Sequence, residues 1–203
     1  MIYHPLFKIY IMERLRSPFV CFLVLASLFW LLPFVARLCI MDIQPVDAFS
    51  FNSLFEGINM PGENTVLLLS EGNNKEAFEN ILTTNLKGCL LNVLGGTLLG
   101  LGTIINLAYN GFIMADMIVF SHNSGMSWNM ILKLNLPHCF ELIGFWISGG
   151  MGLYYAWQII CFIRQKESFT SSFYIMMGRC TVVFCFIILL AAYVESYITE
   201  NFI

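Results

Sequence analysis

Charge is scarce in this chain. Of its 203 residues, 11% are charged, against the roughly 25% usual for soluble domains, while 58% are hydrophobic and the mean hydropathy is +0.75. A water-soluble protein of this size cannot hide so much apolar surface in its own core. Lipid must therefore be the solvent for most of it. The ten Lys and Arg are scattered and the net charge is −3, which excludes a basic surface for nucleic acid. The seven cysteines form no CxxC pair and lie mostly in apolar stretches, so neither a disulfide framework nor a cysteine zinc site is expected. GxSxG, HExxH and phosphate-binding loops are all missing. No cofactor is implied, and the chain reads as a non-enzyme.

What remains is apolar runs. The longest covers residues 86–120, glycine-studded and almost uncharged. A bilayer core of about 30 Å takes roughly 20 helical residues, so this run is too long for one crossing. Asn110-Gly111 marks a turn near its middle. The spacing predicts spans at 19–41, 85–107, 109–122, 137–163 and 173–195, the third short or broken. Ser17-Pro18 is a helix start, Pro33 a kink, and Arg37 a snorkelling end of the first span. That first run exceeds the signal-peptide core of about 7–15 residues and reads as uncleaved. Residues 1–16 alternate apolar and charged side chains, as an interfacial amphipathic helix does. Residues 42–85 form an acidic, water-exposed loop with short helices, one capped by Asn73 or Asn74. Arg164, Lys166 and Arg179 bracket a polar connection. The fold class is an all-α, polytopic transmembrane bundle of about five helices, one integral membrane domain over 1–203.

Positive charge chooses the sidedness. With five crossings, Lys8, Arg14, Arg16, Arg164, Lys166 and Arg179 share the N-terminal side, against Arg37, Lys75, Lys87 and Lys133 opposite. Four crossings, with 109–122 not spanning, would reverse that bias. The expectation is a cytoplasmic N-terminus and an extracytoplasmic C-terminus.

Three groups of residues stand out. Small residues line the second span (Gly95, Gly96, Gly100, Gly102) and the fourth (Gly144, Ser148, Gly149, Gly152). Such ridges let helices approach closely, within one chain or in a homo-oligomer or partner interface. His138 and Glu141, three apart, share a helix face just after Pro137 and form an ionisable pair at the membrane surface. Two ligands alone do not make a metal site. The pair reads as a polar anchor. Asn92, Asn106, Asn110 and Asp116 are expected to join it in one interior polar network, either structural glue or the lining of a solute path. Gly111 and Pro137 are the expected helix breaks.

Asn85, the run Leu94-Gly-Gly-Thr-Leu-Leu-Gly-Leu-Gly-Thr103, Asn110-Gly111, Leu136-Pro137-His138 with Glu141, and Ser148-Gly-Gly-Met-Gly152 resemble the stage II sporulation protein M family. The resemblance covers 85–163, the central part of the chain. It departs at Cys139, where the family usually has glycine. It implies a small multi-pass protein of the bacterial cytoplasmic membrane, acting as a scaffold or subunit of an envelope complex. Its partners would be cell-wall remodelling proteins. The alternative is a permease subunit working with the ATPase of an exporter.

Overall fold

The computed structural model describes residues 18–40, 68, 72–123, 125–136, 138–164 and 168–197. The expected interfacial helix at 1–16, most of the acidic loop, and Pro137 lie outside the described residues.

Six α-helices make up the described chain: α1 (Pro18–Cys39), α2 (Asn74–Gly95), α3 (Leu101–Asn123), α4 (Trp128–Asn135), α5 (His138–Ile163) and α6 (Ser171–Tyr197). A single 3₁₀ turn, Gly96–Leu98, joins α2 to α3. Helix α1 starts at Pro18, where a missing N–H costs nothing, and runs on through Pro33. Asn73 stands at the N-cap position of α2 without a side-chain capping bond, and its amide donates instead to Glu76 Oε2 at 2.7 Å. Three helices are long and apolar enough to cross a bilayer: Phe19–Cys39, Leu101–Asn123 and Ser171–Tyr197. Helix α5, at 26 residues, has the length. It is the interior helix, burying Gly144, Phe145, Ser148, Gly149, Gly152 and Gln158 against its neighbours. Helix α2 carries Lys75, Glu76 and Glu79 near its start and Lys87 past its middle.

Two expectations about this region are corrected. The break does not fall at Asn110-Gly111, which lies in mid-α3. It falls at 96–100, where Leu99 (φ 54°) and Gly100 (φ 85°) take the left-handed conformation and reverse the chain. The helix expected over 85–107 therefore ends at Gly95, and the expected short third span is a full helix of 23 residues. Arg179 is also displaced from its expected place in a connection: it sits inside α6, exposed.

Contacts fix the helix directions. Phe22 meets Tyr154 and Trp30 meets Trp146, so α1 and α5 are antiparallel. Gly111 abuts the Trp30 carbonyl and Asp116 meets Arg37, so α1 and α3 are parallel. Asn85 bonds Glu141 and Asn92 bonds Ser148, both 56 residues apart, so α2 and α5 run parallel. His138 faces Glu195 and Tyr154 faces Phe173, which makes α6 antiparallel to α5. The long helices thus alternate in direction along the chain. One end of the bundle gathers Arg37, Asp116, His138, Glu141 and Glu195. The other holds the 96–100 turn and Arg164.

Two apolar clusters fill the inside. One joins Cys89, Phe145, Met151, Phe184 and Ile188. The other joins Ala26, Trp30, Leu107 and Leu153. The outer faces are apolar too: Leu32 of α1 and Val182 and Phe186 of α6 are each more than 60% exposed. In water such a surface would aggregate, and in lipid it is solvated.

Candidate functional site

Glycine brings the helices close enough for their polar groups to meet. A methyl added at Gly95 would strike the backbone of Gly102 and Thr103, and one at Gly96 would strike Gly152. Gly152 abuts the Asn92 carbonyl, Gly149 packs on Leu107 and Ala26, and Gly144 on Ile188. Gly100 supplies the turn. The two small-residue ridges therefore meet inside one chain.

Between them lies a row of amides. Asn92 donates to Ser148 Oγ at 3.1 Å and to the Phe145 carbonyl at 3.3 Å. Asn106 donates to Asn92 Oδ1 at 2.7 Å and to the Gly88 carbonyl at 3.1 Å. Asn110 donates to the Asn106 carbonyl at 2.7 Å. Thr103 Oγ1 closes the row by donating to the Asn92 carbonyl at 2.7 Å. Asn92, Thr103 and Ser148 are fully buried.

The expected single network resolves into three groups. Asp116 does not join the amides: it pairs with Arg37 Nε at 2.6 Å. Arg37 also donates to the Ile40 carbonyl at 3.0 Å and is 2% exposed. It does not snorkel to water but turns inward to its partner carboxylate. The signal was present in the sequence, since a charge at the end of a span implies a partner as readily as an interface.

The third group is at the start of α5. His138 Nδ1 lies 3.0 Å from Glu141 Oε2, as the three-residue spacing predicts. Asn85 of α2 donates its amide to Glu141 Oε1 at 2.5 Å. Glu195 of α6, which the sequence marks only as the acidic end of the last span, brings Oε2 to 3.7 Å from His138 Nδ1. Glu141 is buried, and Cys139 beside it points outward. A cysteine at the family's glycine position therefore leaves this packing undisturbed.

Asn85, His138 and Glu141 are residues on which the family resemblance rests, and the fold joins them across two helices. The family profile for stage II sporulation protein M matches residues 18–200. The chain belongs to the stage II sporulation protein M family. The likeness thus extends well beyond the central third to half of the chain, taking in α1 and α6. Over 127 residues this family member is 30% identical to an uncharacterized protein of Methanocaldococcus jannaschii, a stretch covering 61% of this chain and 71% of that one. No solved structure matches.

Proposed function

We propose that this chain is a non-enzymatic subunit or scaffold of a larger envelope complex in the cytoplasmic membrane. One observation carries the reading: the interior amides are spent on one another. Asn92, Asn106 and Asn110 direct their donors to Ser148, to each other and to backbone carbonyls. A solute path needs polar groups turned toward open space, whereas these tie α2, α3 and α5 together. The glycine contacts act in the same sense. Backbones in direct contact resist the rocking of one helix set against another on which alternating access depends.

In this reading α1, α2, α3, α5 and α6 all traverse the membrane. Arg164 lies at the end of the bundle where α1 begins, and in the sequence Lys8, Arg14 and Arg16 precede α1 while Lys166 follows Arg164. That end is cytoplasmic by the positive-inside rule. The acidic end, with Glu76 and Glu79 exposed on α2, faces outward and offers docking to cell-wall remodelling proteins.

Purification from native membranes in mild detergent, followed by mass spectrometry, tests the proposal. A stoichiometric partner is expected. Recovery of the chain alone would overturn the reading, and recovery with an ATPase would replace it with an exporter subunit.

A further inference from the structure

The polar cluster at the start of α5 has the donor set of a metal centre. We propose that His138, Glu141 and Glu195 bind one divalent transition-metal ion of the zinc class. This does not depend on the scaffold reading.

Geometry comes first. One ligand atom from each of the three residues lies within 4.8 Å of the others. His138 Nδ1 is 3.0 Å from Glu141 Oε2 and 3.7 Å from Glu195 Oε2. An ion bound at about 2.0–2.2 Å from each ligand holds its donors roughly 3.0–3.5 Å apart. The first separation sits at the lower edge of that range and the second just beyond its upper edge, so the Glu195 side chain must turn inward to complete the site.

An independent observation is the state of Glu195. Its Oε2 is buried and makes no hydrogen bond. A carboxylate oxygen is an acceptor, and its nearest described charge, His138 Nδ1 at 3.7 Å, stands beyond hydrogen-bond reach and leaves that acceptor unsatisfied. Two carboxyl groups crowd one imidazole here, and a divalent ion would let both stand ionised. The donor set selects the ion: an imidazole with two carboxylates suits zinc, manganese or iron, whereas calcium and magnesium prefer all-oxygen shells.

Asn85 completes the arrangement. Its amide holds Glu141 Oε1 and leaves Oε2 for the ion, the role an outer-shell hydrogen bond plays at metal sites. The bound ion would clamp α5 to α6, with α2 braced behind. Three protein ligands leave a coordination position for water or for a group from a partner.

The test uses the full-length protein in detergent, stripped with a chelator and titrated with zinc chloride by calorimetry. One ion per chain is expected. Glu195→Gln and His138→Ala should each weaken binding about tenfold or more, as should Asn85→Ala. His122→Ala, on α3 against Trp128, should leave it unchanged. Excess magnesium should not displace zinc. Folded wild-type protein that takes up less than stoichiometric zinc would overturn the proposal, and so would wild-type affinity in Glu195→Gln. If a variant fails to fold, cobalt(II) substitution of the wild type decides. A spectrum of nitrogen and oxygen ligands supports the site, and a thiolate charge-transfer band would assign the metal to cysteines instead.

Discussion

The Arg37–Asp116 pair shows how the membrane changes the value of a contact. Across α1 and α3 it joins a guanidinium that is 2% exposed to a carboxylate that is 13% exposed. Breaking a buried pair from one side strands the other charge, at a cost of about 3–5 kcal/mol, while replacing both partners with apolar groups is often neutral. Arg37→Leu should therefore lower unfolding stability in mixed micelles by roughly 3 kcal/mol or more, and adding Asp116→Leu should restore most of it. Equal loss in the single and the double variant would refute the pairing. Amide bonds between membrane helices are weaker, averaging about 0.6 kcal/mol in double-mutant cycles. Asn106→Ala should thus cost less than Arg37→Leu. Sequence spacing disclosed His138 and Glu141 because three residues on a helix is a local relation. It did not disclose Glu195, Asn85 or Arg37 as partners, because contacts 56 to 79 residues apart depend on helix order.

The helix hairpin α2–α3 carries the largest correction to the sequence reading, and its cause is physical. Asn-Gly signals a turn in water, where exposed backbone is solvated and polar side chains help. Within apolar surroundings the turn at 96–100 is built from Gly, Thr and Leu, and Leu98, Leu99 and Leu101 are more than half exposed. Those residues look like more helix. Asn110 instead folds its amide back onto the Asn106 carbonyl, and Gly111 gives α3 a flat place on which the α1 backbone at Trp30 lies. Most other boundaries were legible to within a few residues, since α1, α5 and α6 follow uninterrupted apolar runs. Substitutions can separate packing glycines from idle ones. Gly152→Ala places a methyl against the Asn92 carbonyl, which cannot yield, and should abolish recovery of folded protein. Gly178→Ala in α6 meets nothing within 4 Å and should be neutral or stabilising by up to about 1 kcal/mol. Comparable yields of monodisperse protein from the two variants would show that the glycine contacts are dispensable.

At the scale of the molecule, the alternating helix directions place the start of α1 and the end of α6 at opposite ends of the bundle. The proposed topology turns this into a sidedness. A fluorescent-protein fusion at the N-terminus should be bright in the cytoplasm, and a phosphatase fusion after Tyr197 should be active outside. Activity pointing to one compartment for both fusions would reject an odd number of crossings. The composition made lipid solvation and an all-α bundle plain from the sequence. The count of crossings was not plain, because it was tied to whether the segment now seen as α3 reached across.

That dependence disappears with the tight reversal at Leu99 and Gly100. A segment that descends and returns beside itself begins and finishes on one face of the bilayer, whether its tip pokes through or stops within the hydrocarbon. Depth of penetration and compartment of the flanking chain are thereby uncoupled. The leucine tip is free to drift in length or composition among relatives without relocating anything that comes before or after it.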